Sequence, residues 1–313
     1  MDQFSTHPLY RRHNIDSVMN SLWEFYKTRF FSLFLISLAM SLVMQYASTF
    51  LNFKELQSIT DPMLIFEKMK GYIVPILIIS LVNLLFTTIL QHYILYNPID
   101  SGNNIFVSIM SSLKYFIPYL IIMVLLVFAG SIAIVLGLLA LIVGVFFSIL
   151  YIMTIYLFVL PVMMVEGANI GNTISRTLTL AHRNFWSNIG WVAVFLIIVI
   201  ITSVILSSII LLPFAGSFLR TIFNPAEATT IINVTTKPLF IILSAAVNAL
   251  ILPVMPVFAC ILYFNGKARE EQVQTINPAN PENEKVKVED LYAKPYSDDH
   301  PENPEKTSDG LNV

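Results

Sequence analysis

The chain has 313 residues, 56% of them apolar and only 12% charged, with a mean hydropathy of +0.72 and a net charge of −2. Soluble domains carry about 25% charged residues, so this composition excludes an ordinary soluble domain, and the near-neutral balance excludes the broad basic field of a nucleic-acid-binding protein. One cysteine, Cys260, excludes an internal disulfide and a Cys-based metal site.

Residues 1–13 read as a polar and aromatic leader. The first long apolar stretch begins only at Phe30, so it reads as a retained span rather than a cleaved signal. Six spans follow from length and apolarity, over 30–51, 72–96, 115–136, 138–165, 188–214 and 238–264. The third and fourth come from one run of 51 residues, 115–165, without Asp, Glu, Lys, Arg or His. As one helix it would measure about 76 Å, against a hydrocarbon core of about 30 Å. It must fold back, and Gly130-Ser131 and Gly137 are the candidate break points. Residues 14–265 are thus expected to form an all-α membrane domain of six spans. From Gly266 the composition turns to Pro, Asn and charge, and 266–313 read as a disordered cytoplasmic tail.

Lys and Arg orient the chain. Arg11, Arg12, Lys27, Arg29, Lys114, Arg176, Arg183, Lys267 and Arg269 make nine on the side of the N-terminus, against five (Lys54, Lys68, Lys70, Arg220, Lys237) on the other. Positive residues favour the cytoplasm, so both termini are expected there.

Three stretches before odd-numbered spans look alike. Each opens Asn-Ile, at Asn14, Asn104 and Asn169, and ends in Ser or Thr and Leu, at Leu22, Leu113 and Leu178. Apolar residues recur at helical spacing in each: Ile15, Val18, Met19, Leu22 and Tyr26; Phe106, Ile109, Met110 and Leu113; Ile170, Ile174, Leu178, Ala181 and Phe185. Asn is a good N-cap, and Trp23, Trp186 and Trp191 stand where interfacial aromatics are expected. The expectation is three juxtamembrane amphipathic helices, each heading a pair of spans, as three parallel repeats.

Few groups carry chemistry. No P-loop, metalloprotease, nucleophile-elbow or Cys-x-x-Cys pattern is present, and the reading is of a protein that is not an enzyme and takes no metal or cofactor. The polar residues at membrane depth are Gln45, Asn83, Gln91, His92 and Asn248. Asn83 and Asn248 read either as interhelical hydrogen-bonding residues or as ligands on a substrate path. Pro253 and Pro256 should break or kink the last span, as a packing feature or as part of such a path. His92 is expected at the interface. On the cytoplasmic side, Lys27, Arg29, Lys114, Glu166, Arg176 and Arg183 are candidates for contact with lipid or a partner. Arg176 and Arg183 lie seven apart on one helix face. The expected division is Arg176 to Glu166 and Arg183 to a lipid phosphate.

The segment Leu160-Pro161-Val162-Met163-Met164-Val165-Glu166-Gly167, followed by Ser175-Arg176-Thr177-Leu178 and the aromatics Phe185 and Trp186, resembles the membrane domain fused to some bacterial glycerophosphodiester phosphodiesterases and its free-standing relatives. The order Ser-Arg departs from the family's Arg-Ser. The resemblance implies a multi-pass protein of the bacterial inner membrane. It implies no phosphodiesterase activity, because that chemistry belongs to a separate soluble domain. The leading expectation is a non-enzymatic membrane protein contacting anionic lipid, a partner protein or a second copy through its interfacial helices. The second is a facilitator of a small substrate without ion coupling. A polar central cavity would favour the facilitator, and a filled apolar centre the first reading.

Overall fold

The computed structural model describes residues 3–51, 61–100, 102–167, 169–216 and 237–276. Among them there is no strand. The α-helices are α1 (Ile15–Thr28), α2 (Phe30–Ser48), α3 (Pro62–Tyr96), α4 (Ile105–Leu139), α5 (Leu141–Glu166), α6 (Ile170–Arg183), α7 (Phe185–Leu211), α8 (Pro238–Ile251) and α9 (Val254–Ile276). Six spans among them, with α8 and α9 forming the sixth, are long and apolar enough to cross a bilayer. One compact unit runs to Glu271, and residues 272–276, the end of α9, fall in a second unit.

The Asn-Ile openings do cap helices. The side-chain oxygens of Asn14, Asn104 and Asn169 accept the backbone N–H of Ser17, Val107 and Asn172. Beyond that the three stretches part. The chain breaks at Arg29 between α1 and α2 and at Asn184 between α6 and α7, whereas α4 runs unbroken through Lys114 into the span. In α4 the buried side begins with Ser108 and Ser112, while Phe106, Met110 and Leu113 point outward. Apolar lipid exerts no hydrophobic penalty on such a face, and small polar residues make the closer helix contacts.

The hairpin between the third and fourth spans turns later than expected. α4 continues through Gly130 and Gly137, and the turn falls at Ala140-Leu141, with Leu141 at φ 60°. The glycines serve contact rather than breakage: a Cβ on Gly144 would lie 2.2 Å from the Gly137 carbonyl oxygen. Gly144→Ala is expected to cost about 1–3 kcal/mol of stability by overpacking, read as a lower unfolding temperature in nanodiscs. Gly190→Ala, where an added Cβ meets nothing within 4 Å, is the control and should be neutral or slightly stabilising.

The sixth span is the centre of the unit. Its most apolar window is 56% buried, against 11–22% for the other five. Pro253 cannot donate an N–H, and the helix breaks at Leu252-Pro253 as the sequence suggests. Side chains support the break. Tyr26 donates to the Leu250 carbonyl at 3.0 Å, and Gln91 donates to the Pro256 carbonyl at 3.3 Å and to Cys260 Sγ at 2.9 Å. Beyond it, Val257 to Phe264 are almost wholly enclosed. On α2 and α8, Ser37, Ser41, Ala245 and Ala249 are buried four apart, the spacing that lets helices approach closely in lipid.

Four expectations are corrected. The leader belongs to the core: Phe4, His7 and Leu9 are buried, and the ring of His7 lies 4.7 Å from that of Phe264. The tail does not start at Gly266, because α9 continues to Ile276 with Asn265 and Ala268 buried; residues 277–313 lie outside the described ones. His92 is enclosed rather than interfacial, stacked on Tyr96 at 4.3 Å, and Trp191 is buried with the Arg269 guanidinium 5.6 Å above it.

Candidate functional site

The buried residues of the spans gather toward one end, at Thr88–Leu95, Leu157–Met164 and Val257–Phe264. Where this packing stops, a cavity of about 390 Å³ opens between α3, α5, α7 and the broken sixth span. It is lined by Asn83, Thr87, Leu90, Tyr156, Val199, Asn248, Ile251, Leu252, Met255 and Pro256. Three of the four path candidates therefore meet: Asn83, Asn248 and Pro256. Pro253 does not line the cavity but makes the break that shapes it. The depth follows from α2, whose 19 residues measure about 28 Å, close to the hydrocarbon thickness. Ser41, seven residues from the end of α2, and Gln45, in its last turn, line a smaller pocket together with Asn248.

The chemistry of the cavity lies in its carboxamides. Asn83 and Asn248 both line it and are exposed at the protein surface, and neither side chain hydrogen-bonds within the described residues. An amide in an apolar medium without a partner costs about 2–7 kcal/mol depending on the reference. Among the described residues, no Asp, Glu, Lys, Arg or His lines the cavity. The site can therefore satisfy neutral polar groups and offers a charged one no counter-ion.

A second cluster joins the ends of α5, α6 and α9. Arg176 donates from Nε to Glu166 at 2.8 Å and from both terminal nitrogens to Glu270, the first at 3.0 Å. Arg183 pairs with Glu270 at 3.1 Å, and Tyr263 donates to Glu166 at 3.0 Å. Glu270 first, and then Glu166, push the Arg176 pKa further above its ordinary value, against the opposing effect of burial. Two arginines face two glutamates, and the charge of Lys267 also acts on Glu270. The Arg176–Glu166 contact is present, and Arg183 has an intramolecular carboxylate where a lipid phosphate was expected. Among the other cations, Arg29 bonds to Asn97 at 2.5 Å, Lys114 lies 4.8 Å from the Tyr115 ring, and Lys27 and Lys114 are exposed.

Sequence reasoning missed Glu270, Tyr156 and Thr87. Glu270 sits in Lys267-Ala-Arg-Glu-Glu, whose charge suggested tail, though four-residue spacing from Gly266 could have extended the helix. Tyr156 in an apolar span resembles core.

No family model, curated protein or solved structure matches the chain. Fold and site together define a polytopic α-helical membrane protein.

Proposed function

We propose that this is a non-enzymatic protein of the bacterial inner membrane that binds a neutral, membrane-soluble molecule in its intramembrane cavity and passes it without ion coupling. The observation that carries this reading is the convergence of two unpartnered carboxamides, Asn83 and Asn248, on one cavity beside the broken sixth span. Among the described residues its lining holds no acid or base, which agrees with a mechanism that moves no proton or ion. In this proposal both termini face the cytoplasm. In support, Arg29 and Asn97, Arg183 and Glu270, and Arg269 and the His13 carbonyl are in contact, which gathers N-terminal-side cations at one end. The resemblance to the phosphodiesterase-linked membrane domains is kept as part of this proposal and rests on Glu166-Gly167 and the Arg176 helix.

The test is Asn83→Leu with Asn248→Leu. Neither side chain gives up a hydrogen bond, so stability should hold or rise, whereas amides bonded inside the structure would cost about 1–3 kcal/mol on replacement. In nanodiscs, the short-chain glycerol ester monobutyrin should raise the unfolding temperature of the wild type by linkage and leave the double variant unmoved. A second reading retains interfacial contact with anionic lipid, favoured by the exposure of Lys27 and Lys114. It no longer draws on Arg29, Arg176 or Arg183, each of which has a partner within the chain.

A further inference from the structure

The cavity, mostly apolar apart from Asn83, Thr87, Tyr156 and Asn248, has neighbours that share its walls. Tyr156 and Met255 line both it and an apolar groove of about 810 Å³ between α4, α5 and α7. Val127, Ile149 and Ile200 edge this groove and are exposed. Asn248 and Leu252 also line a smaller pocket of about 190 Å³ that Ser41 and Gln45 help to form.

We propose that the cavity and the groove together hold one neutral, hydroxyl-bearing, single-chain amphiphile of the monoacylglycerol type, its head at Asn83 and Asn248 and its chain along the groove. This deepens the function proposed above and rests on it. The head is neutral because, among the described residues, neither lining contains Asp, Glu, Lys, Arg or His, and a phosphate or carboxylate desolvated there would have no counter-charge from them. It carries hydroxyls because each carboxamide presents two donors and an acceptor, a set that glycerol hydroxyls and an ester carbonyl complement. One chain is assigned because one large apolar groove shares the walls Tyr156 and Met255 with the cavity. The smaller pocket is about a quarter of the groove's volume and partly polar.

The surrounding lipid is as apolar as the groove, so moving a chain between them gains little free energy. Selectivity then lies with the head, and the groove fixes where the chain runs. The test is therefore positional. The full chain in phosphatidylcholine nanodiscs is irradiated with a 1-monoacylglycerol carrying a diazirine midway along its chain, and labelled peptides are mapped by mass spectrometry. The label should fall on the groove walls of α4, α5 and α7. Ser131→Phe, which sets a ring into the groove from an exposed position, should reduce it about tenfold, the ratio produced by ~1.4 kcal/mol. Should that variant unfold at a lower temperature, Ile200→Phe on the opposite wall gives the same readout. An ionised diazirine fatty acid should label at least about tenfold less.

Equal labelling by the fatty acid or by a diacylglycerol probe, or indifference to both ring variants, overturns the assignment. Monobutyrin separates the two levels. A thermal shift without groove labelling removes the chain assignment and leaves the cavity reading standing. No shift removes both.

Discussion

Glu270→Ala is expected to destabilise the protein by about 2–3 kcal/mol. Breaking a buried ion pair costs about 3–5 kcal/mol because the surviving charge is stranded, while exposed pairs contribute about 0–1 kcal/mol. The cluster lies between these limits, with side chains 19–32% exposed. Its geometry raises the estimate, because Glu270 takes a two-point contact from Arg176 and a third from Arg183. Removing it leaves Arg176 with Glu166 alone and frees Arg183. Arg183→Gln, which loses one contact, should cost about 1 kcal/mol, and Arg176→Gln should approach the Glu270 variant. Thermal unfolding in nanodiscs of fixed, zwitterionic lipid reads these differences. The double variant Glu270→Ala with Arg183→Gln should lose less than the sum of the singles, since the two share one interaction. If Arg183→Gln leaves stability untouched and instead lowers retention of anionic lipid, the pairing with Glu270 is incidental and the guanidinium serves phosphate.

The same cluster shows what a single sequence can and cannot reveal. Spans are legible because the bilayer fixes a length and an apolarity together, which is why the 51-residue run had to be a hairpin. The break at Pro253 is legible because a missing N–H acts locally wherever the residue sits. Asn caps are legible for the same reason. Glycine is ambiguous: Gly137 and Gly144 could equally end a helix or let two helices touch, and only the partner's position decides. Asn83 and Asn248 each stand out as polar residues at depth, but nothing in the sequence says that they face one space. Glu270 was hidden because helix continuation there depends on Leu180 and Arg176 arriving from another segment. The leader was hidden because Phe4, His7 and Leu9 are too few to show a period, though each finds a place in the core.

Acidification should weaken the fold through His7, by about 3 kcal/mol between pH about 6.5 and about 4. His7 Nδ1 accepts the Leu9 N–H at 3.1 Å, so the proton of the neutral ring is on Nε2, which donates to the Ile94 carbonyl at 3.2 Å. Both nitrogens are thus satisfied in one neutral tautomer. A second proton would have to enter Nδ1, against the Leu9 N–H, in a buried site beside Phe25 and Phe264. Burial, opposed by the bond to Ile94 and reinforced by the charge of Arg29, lowers the His7 pKa from 6.5 to about 4. A folded-state value below the unfolded one means that the unfolded chain binds the proton first. The contribution is therefore complete above pH about 6.5 and is lost as pH falls through about 4. His13 shifts in the same direction, chiefly through burial, and adds to the loss.

The discriminating variant is His7→Asn. Its side-chain oxygen can still accept the N–H two residues on, in an Asx turn, but it cannot titrate. Its stability at neutral pH should fall by about 1 kcal/mol for the lost bond to Ile94, while its stability curve between pH about 6.5 and about 4 should be distinctly flatter than that of the wild type. Unfolding temperatures of both proteins in nanodiscs across that range give the answer. Parallel curves would assign the acid sensitivity to other groups and leave His7 as a packing residue.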